Sequence, residues 1–186
     1  MNTRIFLFAL VAGLMLAEAR LSARNTRDLR RRGALEPPGD PFAALSFTYI
    51  LAFVMMGTEG VWRAAAAESV PVAASGTGGP SWIASGVLLF AAGKGLKYWA
   101  IRTLGDRWSF RVLTVPGLPL ITTGPYRYVA HPNYIGVVGE LAGAAMMFGA
   151  MVTGPISMAV FGLALWARVR FETRVLREAQ AAVRTS

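Results

Sequence analysis

Apolar residues gather in five blocks, roughly 4–19, 43–62, 81–101, 133–152 and 155–167, separated by stretches rich in arginine, glycine and proline. A helix rises about 1.5 Å per residue, and about 20 apolar residues cross a bilayer core. The pattern therefore predicts an all-α, polytopic membrane helical bundle with about five transmembrane helices. The last two blocks are joined only by VTGP, residues 152–155, a turn too short to hold a domain. They predict a C-terminal helical hairpin. There is no internal repeat, and the chain reads as one integrated membrane domain with two regions. Residues 1–96 hold the first helices and a basic loop, and residues 97–186 hold the hairpin and its approach.

Composition agrees with the blocks. Of 186 residues, 54% are hydrophobic and only 16% charged, against about a quarter in ordinary soluble domains. The net charge of +9 raises nucleic-acid binding as a possibility, but its placement points elsewhere. Arg20, Arg24, Arg27, Arg30, Arg31 and Arg32 lie between the first two blocks. Arg102, Arg107, Arg111 and Arg127 lie between the third and fourth, and Arg168, Arg170, Arg174, Arg177 and Arg184 follow the fifth. The remaining connections carry almost no basic residues. Such alternation is what the positive-inside rule produces, and it predicts an outside N-terminus and a cytoplasmic C-terminus. No nucleic-acid partner is expected. Without cysteine there is no disulfide, thiolate zinc site or Cys nucleophile, and no metal is implied.

Four segments invite closer reading. LMLAEAR places a small-x-small pattern at Ala17–Ala19, as at a signal-peptidase site, but the following arginines disfavour export and predict a retained first span. Residues 20–40 predict a short basic helix ended by Gly33 and then PPGDP, lying as a solvated, lipid-facing cytoplasmic loop. Residues 68–80 predict a small polar outer loop. GKG at 93–95 lacks the spacing of a phosphate-binding loop.

The densest chemistry lies in GPYRYVAHPNY, residues 124–134, which holds the single histidine and three of the five tyrosines. Proline disfavours helical geometry in the preceding residue and is favoured in a helix's first turn. Pro132 is therefore expected to start the fourth helix, with His131 just outside it. The free N–H groups of that turn suit an anion such as a carboxylate. The hairpin then returns Arg168 and Glu172 to the end where His131 and Tyr134 began. Arg168 lies only about 13 residues beyond Pro155, short of a full span, and shares a helix face with Glu172 four residues on. An ionisable pair at that depth is more often functional than an ordinary surface pair. Lys94 and Glu140 fall about 10–12 Å from the same surface by helical rise, as a mutually neutralising pair or as functional groups. If they form a pair, reversing both charges restores folding lost by either reversal. Gly139 and Gly143 form a GxxxG that predicts close helix packing.

GPYRYVAHPNYIG followed by RVRFETRVL at 168–176 resembles the isoprenylcysteine carboxyl methyltransferase family, over roughly residues 97–180. ARNTRDLRRRGALE resembles the first cytoplasmic loop of its small bacterial members, some of which methylate hydroxyls of long-chain phenols or pyrones. The resemblance implies that residues 97–186 form a methyltransferase-like region using S-adenosyl-L-methionine. It implies that Leu118, Pro119, Leu120, Ile121, Tyr126, His131, Pro132, Asn133, Tyr134 and Glu172 hold that cofactor. Arg168 is implied as the substrate-binding and catalytic group, and His131 as a cofactor contact or a base. The implied partner is a lipophilic small-molecule or prenylated acceptor drawn from the membrane lipid. Ala130 stands where the family usually has arginine, and Thr173 where it has a second glutamate. Two other readings stay open: an NADPH-dependent enzyme like membrane sterol reductases, which share an H-P-N-Y-x-G-E run, and a non-catalytic membrane scaffold. Against the reductase, Val137 follows Gly136 and the acid comes only at Glu140.

Overall fold

A computed structural model describes residues 3–69 and 79–185 of the chain. They form five helices: α1 (Thr3–Arg31), α2 (Phe42–Ser69), α3 (Pro80–Leu104), α4 (Pro132–Phe148) and α5 (Thr153–Thr185). Among the described residues there is no strand, only an isolated bridge between Leu35 and Thr114. The outer loop expected at 68–80 lies largely outside the described residues.

Each apolar block matches a helix, the fourth ending at Phe148 rather than 152. Two of them, Ile5–Arg31 and Phe42–Ala66, are long and apolar enough to cross a membrane. The core lies where α1, α2, α4 and α5 meet, around Phe53, Met56, Leu141, Met147, Phe148 and Phe161. Large apolar side chains such as Phe47, Leu88, Leu163 and Trp166 point outward and stay exposed. A bundle that is apolar inside and out is what burial in lipid, rather than in water, permits.

The basic segment departs from the expected short, solvated helix. It is the last part of α1, which runs unbroken through Ala17–Ala19 to Arg31. The helix stops at Gly33, whose φ of 80° only glycine adopts at no steric cost. Ala34 N–H then bonds Leu29 O at 3.0 Å and Gly33 N–H bonds Arg30 O at 3.1 Å, which satisfies the last carbonyls. One face of this segment is docked rather than solvated. Asn25 Nδ2 donates to Trp108 O at 2.8 Å, Thr26 and Ser109 hydroxyls meet at 2.8 Å, and Ser22 Oγ accepts from Phe110 N–H at 2.8 Å.

α3 and α4 lie antiparallel with their backbones in near contact, along a seam of glycines spaced seven apart. A Cβ on Gly93 would come within 2.7 Å of Glu140 N and Gly136 O, and one on Gly143 within 2.4 Å of Phe90 N. Gly86 meets the Gly143 carbonyl in the same way. Small residues let helices approach this closely where lipid supplies no hydrophobic drive between them. The seam therefore uses Gly86, Gly93, Gly136 and Gly143, and of the expected GxxxG only Gly143 is at its tightest part. Gly139 has more room, with its nearest neighbour at 3.3 Å. Gly143→Ala is expected to cost about 1–3 kcal/mol by overpacking, and Gly139→Ala distinctly less. Thermal unfolding of the two variants in one detergent reads the order; equal losses would remove the seam as the cause.

Candidate active site

Pro132 opens α4 as its position predicts, and His131 caps the helix without a side-chain hydrogen bond to it. α4 has 17 residues, and the chain turns at Gly149 to enter α5 at Thr153. α5 then continues for 33 residues, because nothing in RVRFETRVLRE breaks a helix. The return places Arg168 and Glu172 beside the first turn of α4. Arg168 Nε donates to Tyr134 Oη at 3.1 Å and lies 3.8 Å from Glu172 Oε2. The Tyr134 hydroxyl donates to Glu172 in turn. His131 Nδ1 is 3.7 Å from Glu172 Oε1, its Nε2 shares a 3.0 Å hydrogen bond with the Thr173 hydroxyl, and its ring stacks on Tyr134. The threonine at a position where the family pattern has glutamate thus holds the histidine.

Arg168 is enclosed, its side chain only 2% exposed. Besides Tyr134 and Glu172 it meets two partners from outside the hairpin: Nη2 donates to Phe110 O at 2.6 Å, and Nη1 meets the Asp40 carboxylate. Asp40 comes from the PPGDP linker, which sequence reasoning treats only as a break in the helix. The sole signal in the sequence is an acid among prolines.

Tyr126 belongs to the same cluster: burial raises its phenol and the charge of Glu172 adds to this. Asn133 presents its carbonyl oxygen as a buried acceptor without a partner. Pro132 is buried as the first residue of α4. The run Leu118–Ile121 stands apart from these contacts. Leu118 is exposed, and the Pro119 carbonyl is tied to Arg107 Nη1 at 2.8 Å. The structure brings together Tyr126, His131, Tyr134, Arg168 and Glu172, and leaves 118–121 on a neighbouring loop.

A cavity of about 390 Å³ opens on the other side of Tyr134. Tyr134, Asn133, Ser109, Glu18 and Lys97 supply its polar lining, and Phe8, Phe53, Phe110 and Phe161 line its apolar depth between α1, α2 and α5. Volumes of this order hold single small ligands or lipid tails. Tyr134 separates this greasy space from the partly exposed Glu172.

About two turns deeper lies a second cluster. Lys94 Nζ bonds Glu18 at 2.7 Å and Glu140 at 2.9 Å, while Lys97 Nζ lies 2.5 Å from Glu18 and 3.5 Å from Glu140. Tyr49 Oη donates to Glu140 at 2.8 Å. The Lys94–Glu140 pair is present, but it belongs to a quartet that sequence reasoning saw only in half. Glu18 sits within the small-x-small pattern at Ala17–Ala19, and Lys97 near the polar end of a span, where a lone charge carries no pattern of its own. Two acids and two bases cancel, which is how charges persist in so apolar a place.

Residues 86–178 match the isoprenylcysteine carboxyl methyltransferase (ICMT) family. The chain belongs to this family. The matched region covers α3 from Gly86 on, the glycine seam, α4 and α5 as far as residue 178, so the site cluster lies within it apart from Asp40. The chain is also 26% identical over 172 residues to the uncharacterized protein YpbQ of Bacillus subtilis (strain 168), covering 92% of this chain and 95% of the relative. No solved structure matches the chain.

Proposed function

We propose that the protein is an integral membrane methyltransferase that uses S-adenosylmethionine to methylate an oxygen, carboxylate or hydroxyl, of a lipophilic acceptor. The observation that carries this reading is the position of Tyr134, between an apolar cavity and a partly exposed carboxylate at the start of α4. Donor and acceptor live in different phases, and a site reached from water on one side and from lipid on the other admits both. The basic ends of α1, α3 and α5 gather at this end of the bundle, which we place at the cytoplasmic face.

The residues suit the donor's chemistry. S-adenosylmethionine carries an amino-acid carboxylate and two cationic centres, and when bound it supplies an electrophilic methyl group. Glu172 offers a carboxylate to a cation, and the first turn of α4 offers the Asn133 N–H to a carboxylate, since Pro132 has none and the Tyr134 N–H bonds His131 O at 3.1 Å. Tyr126 and His131 offer rings that flank Glu172. The unpartnered Asn133 carbonyl is a further acceptor at the boundary. Leu118–Ile121 would add a loop edge to the same side.

In this assignment Glu172 binds the cationic part of the donor, held in place by the Tyr134 hydroxyl and flanked by His131. Tyr134 faces the acceptor, and Arg168 fixes the phenol from behind while keeping positive charge beside the acceptor oxygen. Methyl transfer is an in-line displacement, so alignment of the two reactants is the main demand on the protein. The test is to supply methyl-labelled S-adenosylmethionine to membranes containing the protein and to identify labelled lipids by mass spectrometry. Labelled lipid that appears only with the protein supports the reading. Absence of both product and donor binding leaves the scaffold, and NADPH consumption leaves the reductase.

A further inference from the structure

We infer that Asp40, in the linker between α1 and α2 and outside the family-matched region, is a positioning residue for Arg168. This rests on the methyltransferase reading for its catalytic consequence, and on geometry alone for the contact.

Arginine carries a planar fork of five donors, and its use in a site depends on how that plane is fixed. Tyr134 and Phe110 hold two of the three nitrogens of Arg168 through a phenol and a backbone carbonyl. The third, Nη1, has no hydrogen bond among the described residues and is met as an ion pair by Asp40, whose side chain is only 6% exposed. Asp40 is itself anchored: Oδ1 accepts from Phe42 N–H at 3.0 Å, and Oδ2 accepts from Val112 N–H at 3.2 Å. One carboxylate thus joins the start of α2, the segment after α3 and the guanidinium.

The surroundings make the linker a fixed wall. Leu35 and Thr114 exchange backbone hydrogen bonds at 2.8 and 3.0 Å. Glu36 bridges Arg30 and Arg111 at 2.5 Å each, and the hydrogen bond from Arg30 above all holds its carboxyl below the usual range. Phe42 stacks on Phe110 and lines the cavity with it. An acid this well anchored, with its charge against the enclosed guanidinium, sets where that charge lies relative to Tyr134.

The experiment compares wild type, Asp40→Asn, Arg168→Lys and the double variant in membranes, with two readouts. The first is methyl transfer from labelled S-adenosylmethionine, with donor affinity measured alongside. Asp40→Asn is expected to lower turnover about ten- to a hundredfold with donor affinity within about twofold, since a small misplacement of a reacting group costs that much. The double variant should lose little beyond Arg168→Lys alone. Additive losses, or wild-type turnover in Asp40→Asn, would overturn the inference.

The second readout needs no activity. Arg168 modification by phenylglyoxal, followed by peptide mass spectrometry, should be slow in wild type and several-fold faster in Asp40→Asn, while thermal stability stays close to wild type. An unchanged modification rate would overturn the contact. If wild type transfers no methyl group while the modification rates still differ, the methyltransferase reading fails and the placement of Arg168 by Asp40 stands.

Discussion

Lys97→Met is expected to destabilise the protein by about 3–5 kcal/mol, as removal of one partner from a buried ion pair does elsewhere. Lys97 is 1% exposed and Glu18 and Glu140 are 3% and 0% exposed, so loss of one cation leaves two carboxylates facing a single lysine with no water to screen them. Chemical or thermal unfolding in detergent measures the loss, and a change under about 1 kcal/mol would mean the quartet is not intact in the folded protein. Its geometry also revises the rescue expected of a simple pair. Exchanging Lys94 and Glu140 by double charge reversal would set a glutamate at 94 against Glu18 and a lysine at 140 against Lys97. Rescue is therefore not expected from that exchange. It is expected from neutralising one acid and one base together, as in Lys97→Met with Glu18→Gln, because the remaining Lys94–Glu140 pair stays balanced.

The contrast shows what the sequence carries and what it does not. Helix count, hairpin and the meeting of His131 with Glu172 and Arg168 follow from local rules: apolar block length, a proline at a helix start, and a four-residue turn. Each needs only neighbours in the chain. The quartet and Asp40 need the tertiary arrangement. Glu18 and Lys97 are 79 residues apart, and their pairing depends on how the bundle brings a side chain of α1 to one of α3. Asp40 is 128 positions from Arg168, and no periodicity relates a linker acid to a guanidinium on the last helix. The basic segment was legible in composition but not in placement. Its arginines mark one end of the bundle, while the docking is done by Ser22, Asn25 and Thr26, polar residues without a pattern.

Glu172→Gln is expected to weaken S-adenosylmethionine binding about ten- to a hundredfold, the value of a hydrogen bond or contact to a charged group. The variant keeps the size of the side chain and its place beside Tyr134, but removes the charge that a cation would read. Comparison of two ligands locates that cation. S-adenosylhomocysteine keeps the ammonium of the donor but has a neutral thioether in place of the sulfonium. If Glu172 faces the sulfonium, the substitution weakens the donor and leaves the thioether nearly unaffected; if it faces the ammonium, both weaken alike. Calorimetric titration of both ligands in detergent distinguishes these outcomes. Unchanged affinity for both would exclude Glu172 from the donor site. The second oxygen of the carboxylate then matters for the chemistry, because it accepts the Tyr134 hydroxyl that Arg168 also holds. Tyr134→Phe should therefore leave donor affinity within a few-fold while turnover falls much further, since the phenol faces the cavity where the acceptor oxygen must lie.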